Sequence, residues 1–320
     1  MFTPNTVTPL ELWSALPTPF HSSGEIDEPG LRLNIERCIS VGLNGVYCNG
    51  LMGESWSLTV DERQRVLEVV IEACAGRLDV SPVTSTDDLA ETIALTEHAQ
   101  EAGATYAVLV PPRSITVDAD LLAFLNAVID RVDIPYVIFN PGTPDGLGCA
   151  LSTSTFAALC TNPRVRILKT TANPDLNLAM RQIARGTHVQ VSDPLEEHFF
   201  DNVLEHGQQL LYCDPEGYLY QTEKWKPIRA YADLIAQGEF EDARRIFDSL
   251  DPLRKLYRKW IIGPLEVGVM PNAALKRWCE FVGMAGGPVR PPLVELTNSA
   301  AAEFDQELRK VFSAVQPVAN

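Results

Sequence analysis

The run Val165-Arg166-Ile167-Leu168-Lys169 puts an amine at the end of an apolar, β-branched segment. Side chains alternate along a strand, so Val165, Ile167 and Lys169 share one face and Arg166 and Leu168 the other. Leu168 suits a sheet–helix interface. Lys169 is then expected to point the opposite way, toward the inside of whatever the strands enclose. An amine there can attack a carbonyl carbon and form a Schiff base, provided its surroundings favour the neutral form. The same position also suits a plain strand-end lysine or an ion-pair partner, and position alone favours that role.

A second segment, Gly50-Leu51-Met52-Gly53-Glu54-Ser55, follows another short apolar run. Its two glycines allow a tight turn whose backbone N–H groups could hold a carboxylate, although an ordinary strand-to-helix turn reads the same way. Polar groups at other strand ends are Thr18, Thr84, Asn140, Thr170, Asp193, Tyr212 and Cys213. Each alone is a structural residue as readily as a proton carrier, and Tyr212 and Thr170 are the first to test. Arg113 could supply a cation for a substrate carboxylate or lie on the surface. The five histidines show no HExxH or similar spacing, so neither a metal nor another cofactor is expected.

The elements that must position these groups alternate. Strand-like runs at Leu12–Thr18, Gly45–Cys48, Val80–Val83, Tyr106–Val110, Pro135–Phe139, Val165–Lys169, Val189–Val191 and Leu210–Cys213 are each followed by an amphipathic stretch. Thr59-x-x-Glu62 has the form of a capping box. Eight strand–helix units by about residue 240 call for a parallel sheet with right-handed crossovers, closed as a (β/α)8 TIM barrel. Beyond it, Glu241–Tyr257, Asn272–Val282 and Ala300–Val315 have helical periodicity. The expected division is a barrel over 1–240 and a helical extension over 241–320 packed on it.

Composition narrows the partners. In 320 residues, 26 Lys and Arg face 42 Asp and Glu, for a net charge of −16. Such a surface repels nucleic acid and anionic membrane. No apolar run approaches the ~18 residues of a membrane span. Seven cysteines, an odd number without a CxxC pair, suit a reducing cytoplasm better than a disulfide framework. The first residues lack the basic and apolar regions of a signal peptide.

Taken together, several blocks resemble the dihydrodipicolinate synthase/N-acetylneuraminate lyase family. They are Thr18-Pro19-Phe20 with Gly24-Glu25-Ile26-Asp27; Gly42-Leu43-Asn44-Gly45-Val46; Gly50-x-x-Gly53-Glu54-Ser55-x-x-Leu58-Thr59-x-x-Glu62-Arg63; Ile134-Pro135-Tyr136-Val137-Ile138-Phe139-Asn140; and Gly287-Pro288-Val289-Arg290-Pro291-Pro292-Leu293. The resemblance implies a (β/α)8 barrel, a class I aldolase or lyase activity on a 2-oxo acid such as pyruvate, and Lys169 as the Schiff-base lysine. It also implies a homodimer or homotetramer.

Departures from the family pattern are as informative. Phe139 stands where the family has a proton-relaying tyrosine, and a phenyl ring carries no transferable proton. Leu51 and Met52 replace hydroxyl residues, leaving only the backbone N–H groups of Met52 and Gly53 to hold a carboxylate. Pro111-Pro112-Arg113 replaces a Pro-Tyr-Tyr segment, and Pro144 an arginine typical of dihydrodipicolinate synthase itself. Thr170 replaces a glutamate. Leu210-Leu211-Tyr212-Cys213 is bulkier than the family's eighth strand.

The expected function is therefore a 2-oxo-acid lyase, by aldol cleavage, condensation or dehydration, but not dihydrodipicolinate synthase itself. Lys169, Thr170 and Tyr212 are the expected catalytic residues. Met52, Gly53, Phe139, Asn140 and Arg113 are the expected substrate contacts. The rival reading is a family member that has lost turnover and serves as a small-molecule-binding or regulatory protein.

Overall fold

The computed structural model describes residues 9–141, 150–171 and 173–315. Eight strands run β1 Glu11–Ala15, β2 Gly45–Cys48, β3 Asp79–Pro82, β4 Ala107–Leu109, β5 Tyr136–Asn140, β6 Val165–Thr170, β7 Gln190–Ser192 and β8 Leu210–Cys213. They form two parallel four-stranded arcs, in the orders β3-β2-β1-β8 and β4-β5-β6-β7. A parallel bridge between Val83 and Val108 joins β3 to β4. Side chains stitch the other seam. The Ser192 hydroxyl donates to Leu210 O (2.9 Å) and accepts from Tyr212 N (3.1 Å), while Gln208 Oε1 accepts from Asp193 N (3.2 Å). The arcs thus close as a TIM barrel.

The crossover helices are α1 Glu28–Ser40, α2 Val60–Cys74, α3 Leu89–Ala102, α4 Asp118–Arg131, α5 Thr153–Leu159, α6 Pro174–Ala184 and α7 Glu196–His206. After β8 come a single turn, α8 Glu216–Leu219, and then α9 Pro227–Gln237. The capping box forms at α2: Glu62 N donates to Thr59 Oγ1 (3.2 Å) and Thr59 N to Glu62 Oε2 (2.9 Å).

Two differences from expectation have local causes. The stretch 241–257 is not one helix. It is α10 Phe240–Ser249 and α11 Asp251–Tyr257, because Pro252 lacks an N–H and its ring clashes with the preceding turn. The chain then widens into π-type turns over Arg258–Ile262 and ends in a short α12, Gly263–Glu266. The amphipathic stretch expected after Leu210–Cys213 settles into its long helix only at Pro227, since Thr222 and Trp225 pair across a turn. Helices α13 Asn272–Phe281 and α14 Asn298–Val315 complete the order.

Strand alternation sorts the core. Val137 and Ile167 belong to one hydrophobic cluster with the inward Trp13 and Tyr47, and Ile138 and Leu168 to a second with Leu125 and Phe156 of α4 and α5. Phe247, Leu253, Trp278 and Phe304 lie in the first cluster, so the C-terminal helices share a core with the barrel. Among the described residues, no helix is long and apolar enough to cross a membrane.

Candidate active site

Lys169 lies on the inward face of β6, as Leu168 on the outer face requires, and is 3% exposed. Its register partner on β5 is Phe139. The ammonium stands 4.7 Å from the centroid of the Phe139 ring and 4.7 Å from that of Tyr47. Lys169 Nζ donates to the Tyr47 hydroxyl (2.5 Å) and to Asp214 Oδ1 (2.6 Å). The Tyr47 hydroxyl donates to the same Asp214 oxygen (2.6 Å). Three side chains from β2, β6 and the end of β8 therefore close a hydrogen-bonded triangle. The C-terminal ends of barrel strands are where this fold places its reactive groups.

The aromatic residues inside the barrel explain why the triangle sits at this level. The Trp13 and Tyr212 rings stack at 5.4 Å, and the Tyr212 and Tyr47 rings at 4.6 Å. Gly45 makes room for this stack, because a Cβ there would come within 2.4 Å of the Trp13 indole. The rings fill the barrel below Lys169 and exclude water from one side of the amine. Burial, and after it the Asp214 charge and hydrogen bond, pushes the Tyr47 phenol well above its ordinary value, so it stays a proton-carrying donor. The Asp214 side chain is 21% exposed and forms the open corner of the triangle.

The anticipated residues divide. Lys169 and Phe139 come together. Tyr212 does not carry its hydroxyl to the amine: Nζ is 6.0 Å from its ring, and its hydroxyl bonds Ser81 Oγ. Tyr47 takes the place expected of it. Thr170 and Asn140 are turned away from the barrel interior, one residue beyond Lys169 and Phe139 on the opposite face. Thr170 Oγ1 donates to Asn177 Oδ1 of α6 (2.9 Å), Asn140 Nδ2 donates to Thr170 Oγ1 (3.3 Å), and Asn140 Oδ1 accepts from Leu151 N (2.8 Å). In the Gly50–Ser55 turn, the Gly53 N–H is donated to Gly50 O (3.1 Å), and Met52, 2% exposed, accepts from Asn272 Nδ2 through its carbonyl (3.3 Å). Arg113 is exposed in the turn after β4. Pro144 lies outside the described residues.

Thr18 is buried, its hydroxyl within 3.1 Å of where a Cβ on Gly53 would stand, and the other strand-end candidates have structural partners. Thr96 Oγ1 donates to Thr84 Oγ1 (2.9 Å), Asp193 pairs with His198 (3.0 Å), and the Cys213 thiol faces Trp13 O (3.1 Å). Among the described residues, no three His, Cys, Asp or Glu side chains gather as metal ligands. A second lysine, Lys276, is buried but committed: its Nζ lies 2.5 Å from Glu54 Oε1 and 2.7 Å from Pro288 O.

Tyr47 and Asp214 are the residues that reasoning from sequence missed. Period-two alternation carried a usable signal for both. Tyr47 is two residues beyond Gly45 on β2, and Asp214 is two beyond Tyr212, one position past the end of β8.

Residues 8–311 match the model of the dihydrodipicolinate synthetase family. The chain belongs to that family. A 4-hydroxy-tetrahydrodipicolinate synthase of Exiguobacterium sibiricum is 28% identical over 297 residues, covering 92% of this chain and 96% of its own. One from Thermus thermophilus is 28% identical over 302 residues, covering 92% and 93%. The crystal structure of dihydrodipicolinate synthase from Aquifex aeolicus superposes with a TM-score of 0.81 at 24% identity, over 97% of this chain and all of that one. Membership in the dihydrodipicolinate synthetase family makes the chain a lyase of the class that acts on a 2-oxo acid through a lysine Schiff base.

Proposed function

We propose that Lys169 is the imine-forming lysine and that Tyr47 and Asp214 move the protons that Phe139 cannot. The observation that carries this reading is the closed triangle, with Nζ 2.5 Å from a phenol hydroxyl and 2.6 Å from a carboxylate. Asp214 accepts a proton from the ammonium and frees the amine's lone pair. The amine attacks the C2 carbonyl of the 2-oxo acid and gives a carbinolamine. The proton that Asp214 took passes to the leaving hydroxyl, directly or through the Tyr47 hydroxyl that Asp214 re-protonates, and water departs as the C=N bond forms. The protonated imine then draws electrons from the neighbouring bond, which allows C–C cleavage or formation or loss of water.

The backbone N–H of Met52 is our candidate for the substrate carboxylate, with the Gly53 N–H released from its turn only if the loop adjusts. Thr170, Asn140 and Tyr212 support the site from outside or below it. A carboxylate at the open corner and a phenyl ring in place of a phenol support a substrate tail different from that of the synthases named above. The buried, unpaired state of the six described cysteines supports a reducing compartment, the cytoplasm. Exposed Val267, Val269 and Val294 support a homodimer or homotetramer. Sedimentation at micromolar concentration tests the assembly, and a monomer throughout would overturn it.

Borohydride reduction in the presence of a panel of 2-oxo acids tests the site. The expected result is one covalent adduct, mapped by mass to Lys169 and lost in Lys169→Ala. An adduct on Lys276 or Lys224, or none with the whole panel, would refute it.

A further inference from the structure

Behind Asp214 lies a second acid that the mechanism above does not use. Glu216 opens the one-turn helix α8, two residues after Asp214, and is 2% exposed. Among the described residues its Oε2 meets no partner in full hydrogen-bond geometry, and neither does the buried Tyr257 hydroxyl of α11, although that hydroxyl approaches the Glu216 carboxyl closely enough to oppose its upward shift. Both groups line a cavity of about 10 Å³, together with Tyr220, Arg254, Arg258 and Glu197. That volume is at the lower edge of the room one water requires.

The cations on this cavity are already taken. Arg254 is held by Glu196 through Nε (2.8 Å) and Nη2 (3.0 Å) and by Asp251 through Nη1 (2.8 Å). Arg258 pairs with Glu197. A buried carboxylate with no cation and an unsatisfied oxygen is costly, whereas a neutral acid supplies a donor to the same cavity. Burial, and then the negative charge of Asp214, pushes the Glu216 carboxyl well above its ordinary value. The Tyr257 phenol is likewise pushed up, by burial first and then by Glu216 and Asp214. Asp214 is therefore within electrostatic reach of both.

We propose that Glu216 is a neutral positioning residue: its carboxylic acid and the Tyr257 hydroxyl trap one water in this cavity, pinning the Asp214-Pro215-Glu216 turn that presents Asp214 to Lys169. The proposal rests on the role given to Asp214 above. A neutral Glu216 removes like-charge repulsion and leaves Asp214 as the anion that faces the amine. The close packing of the turn agrees with this. Asp214 O accepts from Ala15 N (3.3 Å) and from the Ser14 hydroxyl, and a Cβ on Gly217 would come within 3.1 Å of Cys213 Sγ.

Two measurements test the proposal, and the first does not depend on catalysis. The infrared spectrum of the full chain at neutral pH should contain a protonated-carboxyl stretch that disappears in Glu216→Gln and shifts in Tyr257→Phe. The second is the rate of borohydride trapping with pyruvate. Glu216→Leu should slow it about tenfold, the effect of losing a buried hydrogen-bonded group, and Glu216→Gln should recover most of that loss. Absence of the protonated band overturns the neutral acid. Equal slowing by Gln and Leu, or no slowing by either, overturns the positioning role. Failure of the unaltered chain to form an adduct would instead overturn the reading of Lys169, leaving the infrared result to stand by itself.

Discussion

At the scale of single residues, the proposed relay draws its hydroxyl from a strand other than the one that carries Phe139. Phe139 presents a ring face to Lys169 and no proton, while Tyr47 brings its hydroxyl to the amine from β2. Tyr212 lies one stacking distance farther down and spends its hydroxyl on Ser81. The two tyrosines therefore make opposite predictions. Tyr47→Phe should lower kcat about 10²–10⁴-fold, the ordinary worth of general acid–base catalysis, and slow imine trapping. Tyr212→Phe should change kcat little and act mainly on stability, through the lost bond to Ser81. Steady-state kinetics on the two variants decides the matter, and a larger kinetic loss in Tyr212→Phe would assign the relay wrongly. Phe139→Tyr should not raise activity, because its new hydroxyl enters a site where Tyr47 already meets the amine.

At the scale of elements, the eight strands, the capping box at α2 and the inward turn of Lys169 were legible, because each depends on local chemistry or on strict alternation. What was not legible depends on neighbours distant in sequence. Thr170 and Asn140 looked chemical as polar strand ends, yet the Leu168 and Ile138 faces commit them to the sheet–helix layer. Asp214 was overlooked because it follows the apolar run of β8 rather than ending it. The β7–β8 seam was equally invisible: nothing in Gln190–Ser192 shows that a side chain, not a ladder, closes the barrel. Ser192→Ala should leave the Tyr212 N–H without its acceptor in the interior, at a cost of about 1–3 kcal/mol. Urea unfolding of the variant measures this, and an unchanged midpoint would mean that the seam is held by other contacts.

At the scale of the molecule, the C-terminal segment acts as a strap across the mouth loop that follows β2. Arg290 donates to Glu62 through Nη1 (2.9 Å) and Nη2 (2.6 Å), to Gly24 O and to Ser57 O, and its backbone N–H reaches Glu54 Oε2 (2.9 Å). Lys276 holds the other oxygen of Glu54, and both cations lie on the Phe20 ring. The strap thus fixes the Leu51–Gly53 turn by charge-assisted bonds, and its strength should depend on pH. Hydrogen bonding to Arg290 holds the Glu62 carboxyl below the ordinary glutamate value of 4.5. A depressed carboxyl contributes stability that is fully present above its unfolded value and is lost as pH falls through the lower folded one. The melting temperature should therefore drop as pH falls below 4.5, and the drop should be smaller in Glu62→Gln, which starts less stable at neutral pH but has no carboxyl to protonate there. Parallel melting curves for the two proteins against pH test the sign. Curves that stay a constant distance apart down to the acid limit would show that Arg290 gains nothing from the charge of Glu62 and that the strap is held by its backbone contacts alone.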